Sequence, residues 1–219
     1  MSGEIELFSE EELKKEIIRV MKTLYLRGMI TALGGNVSAR LPGKNECWIT
    51  PSQVFKGALK EDDLVKMDLE GNVVEGVYKP TMSWRWHIGI YKIRPDVNAV
   101  IHAHSPWTLG LISAGKEIKT TITDEAVLVL RKIEKIPFKM PGTEELAEAI
   151  IEAAGKGVKA IILENHGVIG LGSNVLDAES VVELMESLAI IEFVCYALGK
   201  EPPEIPPEHI ELAKKLYRL

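Results

Sequence analysis

The chain has 219 residues, a formal net charge of −6, 46% hydrophobic residues and 26% charged residues. These values are ordinary for a globular protein and allow one domain with a sizeable core. The negative charge does not favour nucleic acid or a membrane surface as a partner, and no apolar run reaches membrane-spanning length. Met1-Ser2-Gly3-Glu4 lacks a basic, apolar leader. Cys47 and Cys195 have neither metal-ligand nor disulfide spacing, so a cytoplasmic location is expected.

The first helix and the strands after it are predicted from local signals. Ser9 and Glu12 have the spacing of a capping box, and apolar residues recur at helical spacing to about Arg27. Short apolar runs separated by turn residues between positions 36 and 75 predict antiparallel strands. Gly34-Gly35 precedes the first of these strands, where it either lets the backbone approach a ligand closely or only forms a turn.

A second helix is predicted from about Trp84 to Lys92. Thr81 and Ser83 place hydroxyls at its N-terminus, where backbone N–H groups and the helix dipole favour an anion. The alternative is that Ser83 is only the N-cap. His87 lies one turn into this helix and is predicted to be a packed, hydrogen-bonded residue.

Three histidines follow two predicted buried strands. The strand from Val97 to Ile101 leads into His102 and His104, whose side chains point the same way because strand residues alternate between faces. This spacing suits two imidazoles on one metal ion; the alternative is two unrelated polar residues at a strand end. His166 follows the strand from Val158 to Leu163. Three imidazoles with open positions are typical of catalytic zinc, whereas structural zinc is usually closed by four protein ligands.

The rest of the chain is predicted to be mainly helical. Three helices are expected: 107–114 after the N-cap Ser105, 144–154 after Thr143, and a long one from about Asn174 to Leu198. Asp124 and Glu125 are expected in a loop. A Pro-rich connector, 201–207, leads to an amphipathic helix, 208–219, that docks on this domain or on a neighbouring subunit. Residues 1–219 are therefore expected to form a single domain.

Five motifs occur in the order seen in the class II aldolase/adducin family, which the chain resembles from its first helix to about Gly199. They are Gly34-Gly35-Asn36-Val37-Ser38, Ile49-Thr50-Pro51-Ser52, Lys79-Pro80-Thr81 with Trp84-Arg85 and His87, His102-Ala103-His104-Ser105, and Asn165-His166-Gly167. The chain is most similar to the L-fuculose-phosphate aldolase branch. Ribulose-phosphate 4-epimerases and methylthioribulose-phosphate dehydratases are related members of the family.

This resemblance implies a three-layer α/β/α fold around a largely antiparallel sheet, and a homotetramer with sites between subunits. It implies one Zn²⁺ per chain on His102, His104 and His166. The implied phosphate pocket consists of Gly35, Asn36, Thr50, Ser52 and Thr81, with Gln53 and Met82 nearby. The implied function is a zinc-dependent aldolase that cleaves a phosphorylated ketose, such as fuculose 1-phosphate, to dihydroxyacetone phosphate and an aldehyde.

The chain departs from the family pattern at several positions. The family normally has Ser-Ser-Glu before Trp-Arg, whereas this chain has Thr81-Met82-Ser83. The carboxylate that acts as general acid/base therefore falls at Ser83, and a hydroxyl is no substitute as a general base. Gln53 replaces a loop glycine, and the tyrosine expected near Thr123 is missing. Tyr217 is a candidate for the family's C-terminal tyrosine.

Several interpretations of the function are therefore open. Ser83 indicates either a slow, metal-binding protein or an enzyme in which another carboxylate, Asp124 or Glu125, has taken over. The chemistry is either that of an aldolase or that of another zinc lyase or epimerase on sugar phosphates, such as a dehydratase or a 4-epimerase. A third interpretation is a metal-stabilised assembly module, comparable to adducin head domains, which lack the metal histidines. The presence of all three histidines argues against this last interpretation.

Overall fold

The computed structural model describes residues 9–217, in which the strands form one eight-stranded sheet. The strands are β1 Asn36–Ala39, β2 Glu46–Ile49, β3 Val65–Asp68, β4 Val73–Glu75, β5 Ala99–Ala103, β6 Ile133–Ile136, β7 Ala160–Leu163 and β8 Gly167–Gly172. Their order across the sheet is β4-β3-β2-β1-β5-β8-β7-β6. Neighbours are antiparallel, except that β6 and β7 are parallel. The predicted α/β class and the largely antiparallel sheet are confirmed.

Seven α-helices accompany the sheet within residues 9–217. They are α1 Glu10–Leu26, α2 Trp84–Ile93, α3 Pro106–Ser113, α4 Asp124–Val129, α5 Glu144–Gly155, α6 Val175–Ala197 and α7 Pro207–Tyr217. The helices predicted from sequence lie within a few residues of α1, α2, α3, α5, α6 and α7. In α1 the capping box is formed: the Glu12 carboxylate accepts from the backbone N–H of Ser9 at 2.7 Å. Among these helices, none is both long and apolar enough to span a membrane.

Two hydrophobic cores lie on opposite faces of the sheet, because successive strand residues point to opposite sides. In β5, Ala99 and Ile101 belong to the core that includes buried residues of α1 and α6. Val100 belongs to the other core, which includes buried residues of α2 and α5. His102 follows the same alternation and lies on the α2 side, where the ring of Trp86 is 5.9 Å from it, centroid to centroid.

The predicted loop at Asp124 and Glu125 is wrong. Both residues lie in the first turn of α4, and the Thr123 hydroxyl accepts from the backbone N–H of Ala126 at 3.2 Å. Thr123 is thus an N-cap followed by two acidic residues, a favourable helix start because acidic groups complement the helix dipole. The edge strand β6 was not predicted, since its four residues, Ile-Glu-Lys-Ile, are few and do not alternate between apolar and charged side chains.

The N-cap of α3 is the predicted residue, but the side-chain hydrogen bond expected of it does not form. Ser105 occupies the N-cap position but makes no capping hydrogen bond. Instead, the buried carboxylate of Glu186 on α6 accepts from the backbone N–H groups of Trp107 at 3.0 Å and Thr108 at 2.9 Å. A carboxylate at a helix N-terminus satisfies the unpaired donors and complements the dipole, so the distant residue replaces the local cap.

The C-terminal helix α7 lies against α4, and none of its residues is buried. The segment before it is held by a hydrogen bond from the Ile205 N–H to the Thr121 carbonyl at 2.7 Å. The predicted helix extended to Leu219, but Arg218 and Leu219 lie outside the described residues. Met1-Ser2-Gly3-Glu4, judged above to lack a leader, also lies outside them.

Candidate metal centre

Three histidines converge at one end of neighbouring strands. His102 lies in β5, His104 follows that strand directly, and His166 lies in the turn between β7 and β8. One ring nitrogen from each residue lies within 4.8 Å of the others. The ring of His102 is 4.9 Å from that of His104 and 4.8 Å from that of His166, centroid to centroid. The structure therefore brings together the three residues that the sequence predicts as ligands.

Glycines allow the backbone to come this close to the rings. A Cβ atom on Gly34 would lie 2.6 Å from Nδ1 of His104, and one on Gly167 would lie 2.8 Å from Cε1 of His102. Asn165 has a φ of 57°, a left-handed conformation that asparagine tolerates better than most residues. The turn that presents His166 therefore depends on the residue types on both sides of it.

The imidazoles are in the neutral form that binds metals. Nδ1 of His102 lies 3.0 Å from the Val168 carbonyl, so this nitrogen carries the proton and Nε2 is left as a ligand. Burial lowers the pKa of His102 well below its usual value, and the neighbouring histidines lower it further. Burial also lowers the pKa of His104, and together with His104 it lowers the pKa of His166 to about 4. All three rings are thus neutral at pH 7.

The donor set fits zinc. Three converging neutral imidazoles leave one or two coordination positions open, as in catalytic zinc sites. Among the described residues, no group hydrogen-bonds to the buried Nδ1 of His166. A buried polar atom without a partner is unfavourable, so a ligand such as a metal ion is expected to pair with this nitrogen.

A cavity of about 170 Å³ adjoins the histidines. Of the predicted phosphate-binding residues, Gly35, Asn36, Ser52 and Thr81 line it. Thr50 does not line it; its hydroxyl accepts from the backbone N–H of Val37 at 3.2 Å and so holds β1 to the next segment. A larger cleft of about 530 Å³ beside α1 and α6 is mainly apolar and contains none of the predicted site residues.

Ser83 lines the cavity at the start of α2. It makes no capping hydrogen bond to its helix, and its hydroxyl accepts from Nδ2 of Asn36 at 3.3 Å. Oδ1 of Asn36 lies 2.6 Å from Nε2 of His87. His87 is completely buried, and burial lowers its pKa to about 3, so the ring is neutral. The prediction that His87 is a packed, hydrogen-bonded residue is confirmed.

Only some of the other positions at which the chain departs from the family pattern line the cavity. Gln53 and Met82 line it, and Gln53 has a φ of 55°, the conformation that glycine adopts most easily. Glu125 is exposed on α4 and is not among the lining residues. Tyr217 is exposed at the end of α7.

Sequence reasoning missed Lys56. This residue lines the cavity and is only 2% exposed. Burial lowers its pKa to about 8. The sequence offered no signal for it, because a single lysine three residues after Gln53 is usually a surface residue.

The comparisons with known proteins agree with this geometry. Residues 15–193 match the family described as "Class II Aldolase and Adducin N-terminal domain". The chain belongs to the class II aldolase and adducin family. The resemblance found in the sequence motifs is therefore confirmed, and with it the assignment to a family of lyases.

Several family members are similar over most of their length. An L-fuculose phosphate aldolase from Methanocaldococcus jannaschii is 40% identical over 176 residues, which cover 80% of this chain and 93% of the relative. A solved structure of an L-fuculose 1-phosphate aldolase superposes with a TM-score of 0.85 at 31% identity, covering 96% and 98% of the two chains. A 3-oxo-tetronate 4-phosphate decarboxylase from Haemophilus influenzae is 32% identical over 185 residues, covering 82% and 86%.

Proposed function

We propose that the protein is a zinc-dependent aldolase that cleaves a phosphorylated ketose, such as fuculose 1-phosphate, to dihydroxyacetone phosphate and an aldehyde. The observation that carries this proposal is the convergence of three neutral imidazoles at a small cavity that hydroxyl and amide side chains also line. The similarity to L-fuculose phosphate aldolases supports the substrate class.

The proposed ligands of the Zn²⁺ are His102, His104 and His166. When bound, zinc supplies Lewis-acid polarisation of a carbonyl group, which favours loss of a proton or cleavage of a bond next to that carbonyl. The Val168 carbonyl holds the His102 ring in the tautomer and orientation that this role needs. The three rings are neutral, so the ion keeps its full charge.

The proposed phosphate-binding residues are Gly35, Asn36, Ser52 and Thr81, all on the cavity wall. Thr50 contributes indirectly, because it fixes the backbone before Ser52. Hydroxyl and amide groups of this kind donate hydrogen bonds to phosphate oxygens and so orient a substrate relative to the histidines.

Proton transfer is the step of the proposed reaction that the cavity residues support least. Ser83 is half-buried beside the cavity and can orient a substrate hydroxyl, but it does not accept a proton near pH 7. Glu125 is the proposed replacement base. Since it is exposed on α4, it would have to come from a second copy, as a homotetramer with sites between subunits would allow. If no carboxylate reaches the cavity, turnover is slow.

We place the reaction in the cytoplasm. Both cysteines are free thiols, which agrees with a reducing compartment.

Another lyase or epimerase reaction on the same sugar phosphates is the alternative. The similarity to 3-oxo-tetronate 4-phosphate decarboxylase favours a decarboxylase among these. All of these reactions use an electron-withdrawing metal next to a carbonyl group, so the histidine geometry fits each of them.

Product analysis tests the proposal. Zinc-loaded protein is incubated with a set of ketose 1-phosphates and with a phosphorylated 3-oxo acid. The expected result is dihydroxyacetone phosphate together with an aldehyde, formed from a ketose 1-phosphate and absent in a His102→Ala/His104→Ala protein. Release of carbon dioxide, or an epimer without carbon–carbon cleavage, would replace the aldolase by the alternative. No product from zinc-loaded protein would favour the non-catalytic interpretation.

A further inference from the structure

Lys56 is a charged residue at a position where charge is unfavourable. It is 2% exposed and begins the short 3₁₀ turn Lys56–Ala58, and its backbone N–H donates to the Ala32 carbonyl at 2.8 Å. Its ammonium group donates to the Pro51 carbonyl. An ammonium group has three donors, so this bond leaves two of them free.

No opposite charge within residues 9–217 compensates Lys56. The half-buried Lys66 contacts the carboxylates of Glu10 and Glu46. The buried Arg40 spreads its charge over hydrogen bonds to the Val97 and Arg94 carbonyls, whereas Lys56 has one carbonyl contact and forms no ion pair in this part of the chain. Buried lysine is rare in proteins unless it is paired. Removing an ammonium from water is strongly unfavourable, and a single carbonyl contact does not offset this cost.

The uncompensated charge borders the cavity of the histidines. Lys56 lines the cavity together with Ser52, Gln53 and Thr81, and His102, His104 and His166 line it too. The cavity wall therefore combines one full positive charge with neutral hydrogen-bond donors. A cavity of this composition is complementary to an anion with several acceptor oxygens.

We infer that Lys56 recognises the phosphate monoester of the substrate and selects phosphorylated ketoses over neutral sugars. This inference rests on the proposed function, since it concerns the same cavity. Neutral donors orient a phosphate, whereas the ammonium supplies a charge-assisted hydrogen bond that a neutral sugar does not form.

The protonation of Lys56 agrees with this role. Burial alone lowers its pKa to about 8, because no neighbouring charge favours the protonated form. Lys56 is therefore still mainly protonated at pH 7. A bound phosphate dianion would favour the protonated form, so its affinity is expected to fall as the pH rises above about 8.

Lys56→Met tests the inference, with inorganic phosphate as the probe. Isothermal titration of the zinc-loaded protein should show binding at least about tenfold weaker than in the unsubstituted protein, the direction expected for the loss of a charge-assisted bond. The zinc content should not change. The exposed Lys60 on the same segment is not a lining residue, so Lys60→Met should bind phosphate normally and is the matched control.

Thermal unfolding provides a second measurement that separates recognition from a structural role. Without phosphate, Lys56→Met should be at least as stable as the unsubstituted protein, because an unpaired buried charge is removed. Phosphate should raise the melting temperature of the unsubstituted protein more than that of Lys56→Met. Unchanged phosphate affinity in Lys56→Met, a marked loss of its stability without phosphate, or no phosphate binding by the unsubstituted protein would each overturn the inference.

These outcomes are distinguishable from a failure of the proposed function, because the titration requires no turnover. Phosphate binding that depends on Lys56 in a protein without aldolase activity would reject only the proposed reaction. Aldolase activity with an unchanged KM for the ketose phosphate in Lys56→Met would reject only the role of Lys56.

Discussion

Oδ1 of Asn36 lies 2.6 Å from Nε2 of His87, and this contact determines which way the Asn36 amide faces. The amide oxygen only accepts, so Nε2 of His87 donates and Nδ1 is left as an acceptor. Nδ1 lies 2.7 Å from the Ser38 hydroxyl, which lies 2.7 Å from the Tyr91 hydroxyl. The Asn36 amide nitrogen is consequently directed to Ser83 and the cavity.

His87→Leu should lower the free energy of unfolding by about 1–3 kcal/mol. The substitution leaves the buried Oδ1 of Asn36 without its donor, and an unsatisfied buried group costs this amount. Urea denaturation measures the effect. The exposed His209 on α7 provides the control, since His209→Leu should change stability by no more than about 0.5 kcal/mol. Equal stability of the two variants would contradict the hydrogen-bond scheme.

His166→Ala should abolish tight zinc binding. The unsubstituted protein should carry about one zinc ion per chain after dialysis, whereas two imidazoles from His102 and His104 do not hold the ion at that affinity. Atomic emission spectrometry measures the metal content. His209→Ala should keep the full content, because His209 is exposed and far along the chain on α7. Full zinc content in His166→Ala would exclude His166 as a ligand.

Ser83→Glu should increase the rate of ketose-phosphate cleavage by about a hundredfold or more, the usual contribution of a general acid/base. The new carboxylate would extend from the start of α2 into the cavity that Ser83 already lines. Coupled detection of dihydroxyacetone phosphate measures the rate. Ser83→Gln has nearly the same size but no titratable group, and it should stay slow. Equal rates for the two variants would mean that the missing carboxylate is not what limits turnover.

Lys56 should make the stability of the protein depend on pH above about 8. Its pKa is about 8 in the folded chain and 10.5 as the ordinary value, so the unfolded chain binds more protons between these limits. Stability therefore rises with pH in this window. Across it, the unfolding free energy of the unsubstituted protein should rise by about 3 kcal/mol relative to that of Lys56→Met. Urea denaturation from pH 7 to 10.5 measures this change. If the two proteins' unfolding free energies vary with pH in parallel, the ammonium group of Lys56 is accessible to water and the explanation by burial is wrong.

Gln53→Gly should raise the free energy of unfolding by about 0.5 kcal/mol. A φ of 55° costs a residue with a Cβ atom about 1–2 kcal/mol, and the greater freedom of glycine in the unfolded chain offsets part of this. Chemical denaturation of Gln53→Gly and Gln53→Ala compares the two effects. The alanine variant keeps the Cβ atom and should show no gain; a larger gain from alanine than from glycine would contradict the explanation by backbone strain.

The sequence was informative where local signals were strong. The capping box at Ser9 and Glu12 predicted the start of α1, and the strand-end positions of His102, His104 and His166 predicted that the three histidines converge. These inferences need only side-chain alternation and helix-capping rules, which act over a few residues.

The features that the sequence did not reveal depend on contacts between distant segments. Glu186 replaces Ser105 as the cap of α3 although 78 residues separate it from Thr108. Lys56 is buried beside the cavity, where its backbone N–H donates to the carbonyl of the distant Ala32, a contact that composition does not show. The short strand β6 is fixed by its parallel pairing with β7. In each case contacts between distant segments determine the local structure, and such contacts leave no pattern in the neighbouring sequence.

The lack of space beside Gly34 and Gly167 limits which amino-acid substitutions this protein tolerates next to its histidines. Any larger residue there would collide with the rings of His104 and His102, and at Gly167 also with the Ala103 carbonyl. Mutational libraries meant to alter substrate preference should therefore keep both positions invariant and vary Gln53 and Met82, which border the same cavity with exposed side chains. Evolution of new specificities in this scaffold is expected to have followed the same route.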